Sequence, residues 1–257
     1  MNNETEFLEK FKKISNKGWI KSVNKGTGSI GLTFEKQLFK KMDSMYFPDF
    51  SGIELKCTTR FSRFPITLFS CAFEGPTFPE INRLLYLYGY DHYIYKDKKV
   101  LKVDVNTINA KKSGNFKFKL FVDEIDNKLY LQVYDLNDNI IEQKSFIYLD
   151  TIINRIKIKL KSLVIVYGSK KRIDSEDYFR YYKFDKYALK NEKFIIDMIN
   201  EGKIIVSLES RIGLSGVNKG KYKNKNLIFK LKKDYIEDLY NKELTFDNDL
   251  KINRSYK

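Results

Sequence analysis

The sequence predicts an α/β (α+β) chain: a mixed central sheet flanked by helices, joined to a β-rich second lobe. Three observations predict it. Apolar residues recur at helical spacing in residues 4–14 and again from about 30 to 42. Between that pattern and the next helix, residues 53–58 and 66–70 alternate with the period of strands. A run of short alternating segments then follows, centred near 100–105, 116–122, 128–134 and 140–146, with Asp-Asn-Lys at 126–128 and Asn-Asp-Asn at 137–139 as hairpin turns. At 257 residues, 42% hydrophobic and 32% charged, the chain is globular in composition and long enough for two lobes. A soft boundary is expected near residue 95, giving lobes 1–95 and 96–257, with C-terminal elements free to return to the first.

The first helix, ETEFLEKFKKI, packs through Phe7, Leu8, Phe11 and Ile14 and ends at Gly18. Its acids come first and its lysines last, which complements the helix dipole. Trp19 and Ile20 are expected to anchor the turn that follows. NKGTGSIG, residues 24–31, would let backbone N–H groups approach a phosphate at the next helix start, or is an ordinary glycine-rich connection. In the helix from about 30 to 42, Ile30, Phe34, Leu38 and Met42 form one stripe, and Glu35 falls on its edge beside Phe39. A carboxylate half inside an apolar face needs a partner. Glu35 is therefore either a site residue or a structural salt-bridge acid.

FPDFSGIELKCTT, residues 47–59, carries the chemistry. Pro48 and Ser51-Gly52 bend the chain, and the strand after them turns Ile53, Leu55 and Cys57 to the core and Glu54, Lys56 and Thr58 to the other face. The bend returns Asp49 to the exposed edge near Glu54. Two carboxylates so placed can share a hard divalent cation such as Mg²⁺, which keeps waters and leaves positions for a substrate phosphate. Such a cation polarises a phosphoryl oxygen and activates a bound water, while Lys56 supplies positive charge where the phosphorus gains negative charge. The pattern describes metal-dependent phosphodiester hydrolysis; the plainer alternative is a same-face acid–amine pair on a half-exposed strand.

Further on, Arg60 and Arg63 lie in the link to strand ITLFSCAF and are candidates to grip phosphates, or solvated turn residues. PEINRLLYLYG reads as a helix capped at Gly89, and TIINRIKIKLK as another from about 150 to 161. In DYFRYYKFDKY, Tyr178, Arg180, Tyr182, Phe184 and Lys186 would share one strand face, either packing the core or stacking on bases. FIIDMINEGKIIVSL is a helix ended by Gly202 and then a strand. Arg211 opens a segment in which Lys219, Lys221, Lys223 and Lys225 stand at every second position; extended, they form a comb able to follow a phosphate backbone, and otherwise a solvated loop. LIFKLKKDYIEDLY closes the chain as strand and helix.

Lys and Arg outnumber Asp and Glu by 48 to 33, a net +15 suited to a nucleic-acid partner. The polar N-terminus lacks the apolar run of a signal peptide, and no stretch is long and apolar enough for a transmembrane helix. Cys57 and Cys71 form no CxxC, and no His/Cys cluster suggests zinc. A reducing, cytoplasmic setting is expected.

GTGSIGLTFEKQL, PDFSGIELKCTT and PITLFS together resemble the MvaI/BcnI group of type II restriction endonucleases, relatives of the nickase MutH within the PD-(D/E)XK nuclease superfamily. The match covers residues 19–72 closely and YFRYYKF and FIIDMINEGKIIVSLESRIG more weakly. The resemblance implies a PD-(D/E)XK nuclease core, Mg²⁺-dependent site-specific cleavage of double-stranded DNA by a monomer, and a companion DNA methyltransferase. It places the family's functional pattern on Glu35, Asp49, Glu54 and Lys56, with Asp49 and Glu54 as metal ligands. Phe34 stands where the family leads one to expect leucine, and His92 is the lone histidine, so base-reading details are not carried over. Two alternatives share the scaffold: a MutH-like mismatch-repair nickase, and a DNA-binding protein without catalysis.

Overall fold

The computed structural model describes residues 3–26, 28–38, 48–50, 52–59 and 62–248. In chain order the elements are α1 (Asn3–Asn16), β1 (Ile20–Lys21), α2 (Ser29–Gln37), β2 (Glu54–Thr59), β3 (Ile66–Cys71), α3 (Glu80–Tyr88), β4 (Tyr90–Asp91) and β5 (Lys99–Val105). Then come β6 (Lys111–Ser113), β7 (Phe116–Asp123), β8 (Lys128–Tyr134), β9 (Ile140–Tyr148), α4 (Leu149–Lys159), β10 (Ser162–Ile173) and β11 (Glu176–Leu189). Last are α5 (Phe194–Asn200), β12 (Ile204–Ile212), β13 (Tyr222–Leu231), α6 (Ile236–Leu239) and β14 (Tyr240–Asp247).

Two compact units are each assembled from separated stretches: Met1–Phe64, Ile158–Lys190 and Tyr240–Lys257 in the first, Pro65–Lys157 and Asn191–Leu239 in the second. Residue 95, near which the sequence suggested a boundary, lies inside the second unit. There β5 pairs with β4 on one side and with β12 on the other, so strand pairing rather than chain order groups these segments.

The first unit is built on a mixed sheet of order β1-β11-β10-β2, with β14 also paired to β11. The long hairpin β10–β11 is antiparallel, and β2 runs parallel to β10 with Leu163 opposite Glu54 and Ile165 opposite Lys56. Helices α1 and α2 cover one face. Phe7, Phe11, Phe34, Phe50, Tyr181 and Phe184 make a buried aromatic cluster, with Phe11 and Phe184 ring centroids 4.8 Å apart and Phe34 and Tyr181 5.0 Å apart. Each such side chain contributes about 1.5–3 kcal/mol by leaving water, so this cluster is what fixes α1 and α2 on the sheet. The stripe Ile30, Phe34 and Leu38 is buried as expected; Phe39, Met42, the end of that predicted helix and Arg60 lie outside the described residues.

Two expectations change. Trp19 is 38% exposed, with Lys171 Nζ 4.4 Å above its ring, and only Ile20 of that pair packs against the core. The five alternating residues of β11 do not share a face, because the register with β10 shifts between Tyr167 and Gly168: Tyr181 pairs with Gly168, Lys183 with Tyr167, and Tyr182 is the extra residue. One extra residue reverses the alternation. Phe179 and Tyr181 before the bulge and Phe184 after it therefore all enter the core cluster.

The second unit holds a sheet of order β3-β13-β12-β5-β4 and a meander β6-β7-β8-β9. The two hairpin turns read from sequence are present, with Asn127 at φ 54° and Asp138 at φ 68°. Gly89 ends α3 in an extended conformation; a Cβ there would stand 2.3 Å from the Leu85 carbonyl oxygen, so close approach and not a left-handed turn requires glycine.

Candidate active site

Asp49, Glu54 and Lys56 come together at the start of β2. The chain reverses between Phe50 and Ile53, whose backbones exchange hydrogen bonds (Phe50 N–H to Ile53 O, 2.8 Å; Ile53 N–H to Phe50 O, 2.7 Å) with Gly52 at φ 87°. The reversal carries Asp49 back along the strand, and the Leu55 N–H donates to Asp49 Oδ2 at 3.1 Å. Pleating does the rest: Ile53, Leu55 and Cys57 join the core cluster while Glu54 and Lys56 face the other way.

Glu54 is only 1% exposed although it is on the chemical face. Lys56 Nζ donates to its Oε1 at 2.5 Å, and its Oε2, also buried, has no hydrogen-bond partner among the described residues. Burial pushes the Glu54 carboxyl up, the Lys56 ammonium pulls it down, and the neighbouring Asp49 charge raises it again; the balance is a raised pKa. A desolvated carboxylate with one bare oxygen beside a second carboxylate suits a divalent cation, which restores the charge compensation that burial removes. No group of three or more acidic, His or Cys side chains forms a cage among the described residues.

Glu35 is half-buried on α2 and its charge acts on Cys57 and Tyr181. Tyr181 in turn donates from its hydroxyl to Ile30 O at 2.7 Å, tying β11 to the first turn of α2. Glu35 thus stands near Cys57 by the core face of β2, the face opposite to that of Glu54 and Lys56. Two groups around Glu54 were not read from the sequence. Lys159, at the end of α4, reaches Glu54 Oε1 at 3.4 Å, and the pKa of Tyr240, at the start of β14, is raised first by burial and then by the Glu54 charge. The strand β14 itself shows in the alternation of Tyr240, Lys242, Leu244 and Phe246; nothing singles out Lys159 among its lysine neighbours.

The expected DNA-contacting residues divide between the units. Arg63 is exposed in the first, and Arg180 there is half-exposed on β11. Arg211, Lys219, Lys221 and Lys223 are exposed in the second. Lys219 and Lys221 belong to a closed loop rather than an extended comb: Gly213 N–H donates to Lys221 O and Gly220 N–H to Gly213 O, at 2.9 and 2.8 Å. Strand β13 begins only at Tyr222, which puts Lys223 opposite Arg211. Arg211 also pairs with Glu209 at 2.7 Å.

A model of the MvaI/BcnI restriction endonuclease family matches residues 8–240. The chain belongs to that family. The MvaI/BcnI enzymes are restriction endonucleases, and this chain is accordingly a site-specific DNA nuclease, which decides against the nickase and the non-catalytic alternatives. The fold is also that of solved structures. It matches the restriction endonuclease MvaI–cognate DNA substrate complex with a TM-score of 0.88 at 24% identity, over 95% of this chain and 98% of that one. It matches MvaI in the absence of DNA with a TM-score of 0.58 at 20% identity, over 95% and 97%. No curated protein matches the sequence significantly.

Proposed function

We propose that the chain hydrolyses phosphodiester bonds of double-stranded DNA at a specific site in a Mg²⁺-dependent reaction, with Asp49 and Glu54 as the metal ligands. The observation that carries the assignment is Glu54: buried, bonded through Oε1 to Lys56, with Oε2 bare and Asp49 beside it. When bound, Mg²⁺ supplies Lewis-acid activation of the phosphate and of a water. The side chains do the rest. Asp49, fixed by the Leu55 N–H, and Glu54, fixed by Lys56, orient two carboxylates before substrate arrives. Lys56 lends positive charge to the transition state and orients the attacking water. Glu35, on the neighbouring helix α2, is proposed as the fourth member.

Arg63 and Arg180 from the first unit, and Arg211, Lys219, Lys221 and Lys223 from the second, are proposed to contact the DNA, mainly at phosphates. The lobe that bears the carboxylates is the cutting lobe and the β-rich unit the recognition lobe. We further propose a monomer that cuts the two strands in turn, acting in the cytoplasm beside a companion methyltransferase. A dimer on sedimentation of the DNA complex would overturn the first of these.

The test is incubation of the protein with phage and plasmid DNA, in Mg²⁺ or EDTA, beside Glu54→Gln and Lys56→Met. Discrete Mg²⁺-dependent fragments lost in both variants are expected, and mapping their ends gives the target. Full cleavage by Glu54→Gln would remove the assignment.

A further inference from the structure

Glu54 is held by two ammoniums, not one. Lys159 is the last residue of α4, 9% exposed, and its Nζ lies 3.4 Å from Glu54 Oε1, the same oxygen that takes Lys56 Nζ at 2.5 Å. Lysines ordinarily run their stems over apolar surface and keep the ammonium in water. Lys157, two residues earlier, is exposed in that way. Lys159 instead buries its charge, which is costly unless the partner repays it, and the partner is the carboxylate that faces the proposed metal. Leu163 of β10 is the register partner of Glu54, so the short passage from the end of α4 into β10 sets Lys159 beside it.

The two cations leave an asymmetric carboxylate. Oε1 has both ammoniums and Oε2 has no hydrogen-bond partner among the described residues. Tyr240, 1% exposed and close enough for the Glu54 charge to raise its pKa, has a hydroxyl likewise without a partner among the described residues and so does not restrain Oε2. Rotation of the carboxylate is therefore opposed from the Oε1 side.

We propose that Lys159 is a positioning residue of the active site: jointly with Lys56 it pins Glu54 Oε1, so that Oε2 is the oxygen offered to the divalent cation. The inference rests on the reading of Glu54 as a metal ligand. It makes a prediction that charge alone reverses. Deleting a positive charge beside a cation site should tighten cation binding by simple electrostatics. Deleting a group that orients a ligand should weaken it, by about 10–100-fold where such outer partners have been removed.

The experiment is calorimetric titration of the full chain with Ca²⁺, without DNA, for wild type, Lys159→Met and Glu54→Gln, together with the Mg²⁺ concentration that half-saturates plasmid cleavage. Lys159→Met keeps the buried stem; if it does not fold, Lys159→Gln takes its place. Half-saturation about tenfold higher or more for both ions supports the positioning role. Values equal to or below wild type overturn it. Glu54→Gln separates the two levels: if it binds Ca²⁺ as wild type does, the metal-ligand reading fails; if it loses binding while Lys159→Met does not, only the role of Lys159 fails.

Discussion

Asp49 has two tasks that one substitution can separate. Its Oδ2 accepts the Leu55 N–H, and its charge is part of the field at Glu54. Asp49→Asn keeps an acceptor for the amide and removes the charge, whereas Asp49→Ala removes both. The Asn variant should therefore unfold in urea like wild type but cleave DNA about a hundredfold or more slowly, since several kcal/mol of charge stabilisation go with the metal. The Ala variant should lose activity equally and about 1 kcal/mol of stability besides. An Asn variant with wild-type cleavage would show that Asp49 only shapes the turn. The cysteines play no such part: burial pushes the Cys71 thiol up to about 12 and raises Cys57, half-buried against the core cluster, as well, so both are protonated at neutral pH.

Among the elements, β11 and α3 show how a local arrangement is held. The bulge in the β10–β11 hairpin works because Gly168 lies close to Ile30, Arg180 O and Tyr181, where a Cβ would stand 3.1–3.3 Å from each. Helix α3 is fastened by a buried network in which Arg83 donates to Glu80 Oε1 (2.5 Å) and to Glu142, while Ser145 and Thr77 also donate to Glu80. Burial alone would raise the Glu80 carboxyl, but these hydrogen bonds outweigh it and hold it below its ordinary value of 4.5; Glu142 is lowered chiefly by the hydrogen bond from Arg83. Depressed carboxyls bind fewer protons folded than unfolded. Their contribution is thus fully present above the ordinary glutamate range and is lost as pH falls through the lowered values. Arg83→Met should cost about 3 kcal/mol at neutral pH. In the variant both depressions shrink, Glu142 losing its main donor and Glu80 keeping only Ser145 and Thr77, so urea unfolding at a series of acid pH values should show a shallower decline in stability than in wild type. Parallel pH curves would place the acid sensitivity elsewhere.

For the whole molecule, the net charge of +15 bears on binding rather than on fold. The closed loop that carries Lys219 and Lys221, with Lys223 on the adjoining strand, presents ammoniums from a built surface instead of a floppy tail. If these contact phosphates, replacing all three by Ala weakens duplex binding evenly across sequences. The slope of log affinity against log salt then falls by about 0.9 for each phosphate that is no longer neutralised. Cleavage by the bound complex keeps its rate, because no atom of the proposed site is touched. Filter binding over a salt series checks the slope, and a change of target preference with an unchanged slope would mean that these lysines read bases.

Local features were legible in the residues themselves. Helical spacing marked α1 and α2, alternation and turn residues marked β2, β5 and the β7–β9 meander, and the D-x-x-x-x-E-x-K run marked Asp49, Glu54 and Lys56, because each of those signals is set by neighbours within a few positions. The face assignment of β2 needed nothing more than the pleat. What the tertiary structure decided is whatever depends on residues far apart in the chain. The parallel pairing of β2 with β10 joins residue 54 to residue 163, the β10–β11 bulge turns Phe184 onto the face of Tyr181, and β14 closes on β11 from the C-terminal stretch. The burial of Glu54, and with it the demand for Lys159, follows from that assembly. A lysine in a lysine-rich helix carries no local mark of the carboxylate it will meet; only packing, which removes water from one side chain and not from the next, makes the difference.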